Sequence, residues 1–549
     1  MPSYQYERLS GQDNDFLLWE APNLPMHVAG GQILDAGPLR NDHGGIDFDA
    51  IKRLTESVLH RIPRYRQKLA WVPGEDQAVW VDDPDFNLDY HFRHTSLPRP
   101  GTDAQLKTLV ARLMEQPLDR SRPLWETWIV EGLEDDRFAI IGKIHHCMID
   151  GASGVQLSQL LMSPTPEREI REAPRFIPRP VPSASELRYD ERIRRLTSPI
   201  AAARQLFDFA RQSSDPAGQI LRQARLIAGL SELKTRPASA TPINGSIGPH
   251  RIIEWATIPL ADVKAVRRAL ACTVNDVVLT TVAGAVRQLM QRRQVDPSKL
   301  DFRVSSPVNL RQQRSEGEMG NYVSSWVVRL PLGQDDPLVQ LKELHAITSE
   351  LKKSDQAAAV KVVTSMLEWL PFSTQSLSVG TVNSIVTNVP GPPFPLYVLG
   401  AQVLEMIPFG PLIENVGLTI AVLSYNGQVH WGLNADSDRL PDLTDFRIGI
   451  QNAFERLAEA AGVTLGTVPN LVASSDSSQI ESDVVSVPTA ASSTDESTDE
   501  ITDEITDEII EEITDEIIEE ITDEIIEEIG DKSAKTVRKI HQPELPRAV

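Results

Sequence analysis

Apolar residues along the first 165 positions come in short runs that alternate with helix-spaced patterns, the mark of a mixed α/β chain. Phe138–Ile144 is rich in β-branched residues and reads as a buried strand. It runs into His145-His146. Asp150-Gly151-Ala152-Ser153-Gly154 then supplies turn chemistry ahead of a helical pattern from Val155 to Leu161. The pattern changes over residues 166–248, which are Pro-rich around Pro174–Pro182. Arginine-rich helical sequence follows through Arg192, Arg194, Arg195, Arg204, Arg211, Arg222 and Arg225. Strand patterns return between Ile252 and about Leu465, among them Phe302–Pro307, Ser324–Leu330, Gly417–Ser424 and Val429–Leu433, with a helix at Asn275–Arg293. The spacing therefore predicts an α/β half over 1–165, a helical linker over 166–248, a second α/β half over 249–465, and a tail over 466–549.

The tail has no aromatic residue and is dominated by Ser, Thr, Val, Asp and Glu, too little apolar surface to offset the entropy of ordering. Ile505–Glu512, Ile513–Glu520 and Ile521–Glu528 are three copies of Ile-Thr-Asp-Glu-Ile-Ile-Glu-Glu. A four-residue isoleucine period drifts about 40° per repeat on an α-helix, so no straight apolar stripe persists. A disordered, solvated tail is expected, with a partner-binding or self-associating segment as the alternative. This segment also owns most of the charge. Of the net −23, the 18 Asp and Glu between Asp495 and Glu528 account for all but about −5. A globular part so near neutrality offers no basic face for nucleic acid.

At 549 residues and 41% hydrophobic content the chain is large enough for two ordinary cores. Two cysteines, Cys147 and Cys272, make no disulfide framework and both lie in apolar sequence, which points to a reducing cytoplasm. The first residues lack a basic region followed by an apolar core, and nowhere do about 18 apolar residues run uninterrupted. Neither a secretory signal nor a spanning helix is expected, so any membrane contact is peripheral.

The chemistry concentrates at the paired histidines. Adjacent strand residues face opposite ways, so His145 and His146 cannot share a role: one can enter a reaction channel while the other is held behind it. An imidazole titrating near neutrality suits removal of a hydroxyl proton. Two other readings compete, a structural pair and a metal site drawing on Cys147 and Asp150. No partner cluster with convergent ligand spacing follows, so no metal is expected. Cys147 as a thiol nucleophile competes with a small buried residue, which nothing marks as activated.

His145-His146-x-x-x-Asp150-Gly151 resembles the active-site signature of the CoA-dependent acyltransferase superfamily. Further segments, in order, resemble the bifunctional wax ester synthase/diacylglycerol acyltransferase family: Leu9-Ser10-Gly11-Gln12-Asp13, Pro25-Met26-His27-Val28, Pro123-Leu124-Trp125, Val274–Leu279, Pro307–Arg311, Gly320-Asn321 and Asn388-Val389-Pro390-Gly391-Pro392. The similarity runs from about Tyr6 to about Gly462; Thr387 stands where the family often has Ser. The resemblance implies two chloramphenicol-acetyltransferase-like halves with a channel between them. It also implies direct acyl transfer from acyl-CoA, a cosubstrate, to the hydroxyl of diacylglycerol or a long-chain alcohol, with no cofactor. It makes His146 the general base and gives His145 a positioning role. Asp150 is either a triad partner or, as the family pattern favours, one half of an ion pair with a buried arginine for which Arg311 is a candidate. Gly151 would permit a close backbone approach. Asn275 is either an oxyanion donor or the N-cap of its helix. Pro123, Trp125 and Asp276 join Gly151 as expected substrate-binding residues, although Trp125 alone would be assigned to a core.

Both lipid substrates imply work at an inner-membrane or lipid-droplet surface. Arg192–Arg225, with interleaved apolar residues, either lies on anionic lipid or covers the seam between halves, and Met366–Phe372 is a second apolar candidate. Competing functions are another CoA-dependent acyltransferase or a non-catalytic lipid-droplet scaffold. A plant-type alcohol acyltransferase would carry Asp-Phe-Gly-Trp-Gly, which this sequence lacks.

Overall fold

The alternating runs of the sequence pair into three sheets. The computed structural model describes residues 5–148, 161–167, 170–195, 237–309, 323–353 and 380–466, all within one compact unit, Met1–Pro469. Expectations for Asp150, Gly151, the Val155–Leu161 helix, Arg204–Arg225, Arg311, Gly320-Asn321, Met366–Phe372 and the acidic tail fall outside those residues.

A small antiparallel sheet joins β1 (Glu7–Arg8), β3 (Gln67–Trp71) and β4 (Ala78–Asp82) in the order β1-β4-β3. The larger first sheet contains β2 (His27–Asp35), β5 (Phe92–Ser96), β6 (Trp125–Leu133), β7 (Arg137–His145), β12 (Tyr397–Val398) and β13 (Ala401–Phe409), ordered β12-β13-β2-β7-β6-β5. The second contains β8 (Arg251–Pro259), β9 (Phe302–Asn309), β10 (Val323–Leu330), β11 (Ser384–Pro390), β14 (Leu418–Tyr425) and β15 (Gln428–Asp436), ordered β10-β9-β11-β14-β15-β8. Two strands of the second half, β12 and β13, cross into the first sheet: β13 pairs antiparallel with β2, setting Phe409 opposite Ala29 and Met406 opposite Gln32, and β12 pairs with β13.

Strand β7 is central, with β2 and β6 antiparallel on either side, so its β-branched run is buried on both faces. The second sheet is covered on one face by helices. Chief among them is Val274–Arg292, which starts at a capping box: the Thr273 hydroxyl takes the Asp276 N–H while the Asp276 carboxylate takes the Thr273 N–H. Its inward stripe includes Val278, Leu279, Val282, Val286 and Leu289, all buried. Full burial of one such side chain contributes about 1.5–3 kcal/mol. Gly284 lets the Leu443–Ala460 helix close on it, since a Cβ there would lie 2.8 Å from that of Ala453.

The opposite face of the second sheet meets β13. A Cβ on Gly432 would stand 1.7 Å from the Pro408 carbonyl oxygen, and Asn434 Nδ2 donates to the Gly410 carbonyl at 2.8 Å. Between the halves, the Asp103–Glu115 helix packs on β8, with the Lys107 ammonium bound to Glu254 and lying 4.6 Å from the Trp255 ring centroid. Residues 184–195 are helical and pack through Leu187 on Val72, Val79 and Val81 of the small sheet and its neighbouring loop. Arg194 and Arg195 pair there with Glu191 of the same helix, and Arg195 also with Glu75.

Candidate active site

His145 is the last residue of β7, paired opposite His27, and its N–H donates to the Leu124 carbonyl at 2.9 Å. The chain then tightens into a 3-10 turn, His146–Met148, whose first N–H donates to the Met26 carbonyl at 2.8 Å. Strand ending and turn together give the two imidazoles different surroundings. His145 is 1% exposed; its Nδ1 accepts the Cys147 N–H at 3.2 Å and its Nε2 lies 3.6 Å from Glu20 Oε1. Because Nδ1 is the acceptor, the neutral ring carries its proton on Nε2, toward the carboxylate. Burial lowers the His145 pKa, with Glu20 opposing, so the ring is neutral at neutral pH. His146 is only half-buried, and its ring stacks on Phe16, centroids 4.0 Å apart at 21°.

Phe16 comes from the Gly11–Trp19 helix, which Ser10 caps by accepting the Asp13 N–H. The next residue, Glu20, has a side chain only 7% exposed. Burial pushes its carboxyl up, but His145 and Arg120 outweigh that and bring it down to about 2. Cys147 is enclosed and its thiol is pushed well above the usual range, so it serves as a small buried residue and not as a nucleophile.

Pro123-Leu124-Trp125 act differently from the substrate-binding role expected of them. Pro123 is buried and Trp125 is 1% exposed; the Trp125 indole N–H donates to the Tyr65 carbonyl and its ring stacks on His91 at 4.5 Å. The triplet belongs to the core beneath the turn, and its contribution to the site is the Leu124 carbonyl that fixes His145.

On the second half, Asn275 sits in the first turn of the Val274–Arg292 helix, half-buried. Thr273, not Asn275, is the N-cap, so capping does not explain the asparagine. Asn388 Nδ2, from β11, donates to Asn275 Oδ1 at 3.4 Å, which leaves the Asn275 NH2 as its donating end. Asp276 corrects its expected role in substrate binding. It is 0% exposed, Oδ2 accepts from Thr273 and from His345 Nδ1 at 2.8 Å, and Oδ1 accepts from Thr348 at 2.7 Å. Its four donors make it the anchor of the helix that carries Asn275. Val389, one residue beyond Asn388, packs on the apolar cluster that includes Cys147 and Met148. The end of β11 and the histidine turn therefore share one cluster.

Sequence reasoning passed over Glu20, Arg120 and the buried Lys143. The Lys143 ammonium donates to the Gln116 carbonyl at the end of the Asp103–Glu115 helix, and burial lowers its pKa to about 8. The available signal for Glu20 was a lone acid closing the apolar run Phe16–Trp19.

A family model described as the wax ester synthase/diacylglycerol acyltransferase catalytic domain matches residues 9–278, and one for the WS/DGAT C-terminal domain matches residues 319–458. A protein described as a probable diacyglycerol O-acyltransferase, from Mycobacterium tuberculosis, is 33% identical over 427 residues, covering 75% of this chain and 88% of its own. The solved wax ester synthase/diacylglycerol acyltransferase from Marinobacter aquaeolei VT8 aligns with a TM-score of 0.59 at 24% identity, over 83% of this chain and 100% of that one. The first condensation domain of the calcium-dependent antibiotic synthetase aligns with a TM-score of 0.55 at 15% identity, over 86% and 100%. At these identities the two structures speak for the fold: a CoA-dependent acyltransferase and condensation-domain architecture.

Proposed function

Since the chain belongs to the wax ester synthase/diacylglycerol acyltransferase family, we propose that it transfers the acyl group of an acyl-CoA directly to the hydroxyl of diacylglycerol, of a long-chain alcohol, or both, with His146 as general base. A hydroxyl is a poor nucleophile at neutral pH. His146 takes its proton as the oxygen attacks the thioester carbonyl, then returns that proton to the departing CoA thiolate. The Asn275 NH2 is the donor for the oxyanion formed in between. Asp150 and Gly151 keep their roles in this reading, as an ion-pair partner shaping the channel and as the residue allowing close backbone approach.

The single observation that carries the assignment is the split between the two histidines. His145 has one nitrogen against Cys147 and the other against Glu20, whereas His146 is half-exposed and opens the turn. Among the described residues no single helix is long and apolar enough to cross a membrane. Lipid substrates call for a peripheral position at the cytoplasmic face of a membrane or on a lipid droplet.

The test is CoA release from palmitoyl-CoA with dipalmitoylglycerol or hexadecanol, the lipid products being resolved by chromatography. Acceptor-dependent turnover is expected, and His146→Ala should lower it by about 10²–10⁴-fold. Full turnover in that variant would remove His146 as base; turnover with neither acceptor would turn attention to another acceptor or to a scaffold role.

A further inference from the structure

We infer that Glu20 is a positioning residue for this reaction, holding the turn that carries His146 along two converging paths, one of hydrogen bonds through Met26 and one through the carboxylate charge facing His145. This inference rests on the reading of His146 as the base. Glu20 closes the Gly11–Trp19 helix in extended backbone conformation and its side chain turns inward, 7% exposed. Oε2 accepts from Arg120 Nε at 2.9 Å, with a second Arg120 nitrogen at 2.7 Å. Arg120 is itself fixed by donating to the Leu17 carbonyl at 2.6 Å. One carboxylate oxygen therefore holds the arginine by a charge-assisted hydrogen bond and a close ion contact, and the other oxygen is left for different partners.

Its other oxygen serves the histidines. Oε1 accepts the Met26 N–H at 3.1 Å, and the carbonyl of the same Met26 accepts the His146 N–H at 2.8 Å. Oε1 also faces His145 Nε2 at 3.6 Å, and the far side of that ring, Nδ1, accepts the Cys147 N–H at 3.2 Å. The peptide groups on both sides of the His146 Cα are thus held, one through Met26 and one through His145, and both paths end on a single carboxylate oxygen. The Nε2–H tautomer of His145 is the one that permits this, because only an unprotonated Nδ1 can receive Cys147.

Stability alone is a poor account of the arrangement. The Arg120 side chain is 36% exposed, and an ion pair open to water on one side typically contributes little to stability. What this pair fixes is the direction of a turn, and a displacement of about 1 Å at a reacting group can cost about 10²-fold in rate.

The test uses the full chain with palmitoyl-CoA and dipalmitoylglycerol. Glu20→Gln keeps the size of the side chain and an oxygen for Met26, while losing the charge that holds Arg120 and faces His145. It should lower kcat by roughly 10–100-fold and leave KM for palmitoyl-CoA within about threefold, the split expected when positioning and not binding is lost. Leu457→Ala, a cavity in the buried core of the second half, is the control for general destabilisation; it should lower Tm while keeping kcat per folded molecule. Should Glu20→Gln fail to fold, Arg120→Lys retains a cation without the fork and should show the same split with a smaller drop. Wild-type kcat in folded Glu20→Gln, or an equal loss in Leu457→Ala, overturns the inference. If His146→Ala is dead while Glu20→Gln is active, only the positioning role falls; if His146→Ala is active, the base and this inference fall together.

Discussion

Replacing Asp276 by alanine removes a carboxylate that four donors converge on inside the protein, from Thr273, His345 and Thr348. Loss of a cap typically costs about 1 kcal/mol, and each buried donor left without a partner about 1–3 kcal/mol more. Asp276→Ala should therefore lower the unfolding free energy by about 3 kcal/mol or more, as read by urea denaturation. Asp276→Asn, which keeps acceptor oxygen but introduces donors facing Thr273 and His345, should lie between. A wild-type urea midpoint in Asp276→Ala would return the residue to the channel. At this scale the divergence of the histidine pair was legible but its cause was not: the strand ends at His145, and the 3-10 turn that follows, not strand alternation, sets His146 apart. Asp276 and Trp125 were legible only as members of a motif, since their sequence neighbourhood does not reveal whether a polar or aromatic group meets substrate or core. Glu20 was not legible: Arg120 and His145 stand 100 and 125 positions away, and only folding brings them to it.

Elements were read more readily than their neighbours. Phe138–Ile144 and Phe302–Pro307 lie inside β7 and β9, and the expected helix at Asn275 begins one residue earlier, at the capping box. Alternation marks a strand without naming the sheet it joins, so the crossing of β13 into the first sheet had no signature. The crossing depends on close backbone approach at Gly432, where a Cβ would lie 1.7 Å from the Pro408 carbonyl oxygen. Backbone on both sides leaves little room to yield. Gly432→Ala should separate β13 from β15 and destabilise the protein by several kcal/mol, yielding little soluble enzyme. Gly449→Ala, whose new Cβ would have no neighbour nearer than 3.6 Å, should be tolerated. Comparable yields and melting temperatures for the two variants would show that the halves do not depend on that contact.

For the whole molecule, buried imidazoles set the behaviour in acid. Burial lowers the pKa of His91 and of His430 to about 4, the Trp125 carbonyl opposing it at His91, and drives His27 well below the usual histidine value. In the unfolded chain these groups take up protons near pH 6.5. The stability they contribute is complete above that pH and is lost as pH falls toward about 4, because the unfolded state then binds protons that the native state refuses. For His91 and His430 the displacement corresponds to about 3 kcal/mol each, a large share of the roughly 5–15 kcal/mol that holds an ordinary domain together. Glu20 acts in the same direction but later. Its carboxyl is held near 2 against an ordinary 4.5, so its contribution is lost only below about pH 4.5. The melting temperature should accordingly stay level from pH 8 to about 7 and fall by roughly 10 °C or more by pH 4.5. Salt should change little of this, since desolvation and not exposed charge is the cause. His430→Leu, which removes one of these protonation sites, should flatten the fall between pH 6.5 and 4.5 even if it lowers the plateau. A melting temperature that stays level down to pH 4.5 would mean that carboxylates alone govern acid unfolding. The acid limb of the activity profile therefore mixes protonation of the base with loss of the fold, and an apparent pKa for His146 has meaning only where calorimetry shows the native state intact.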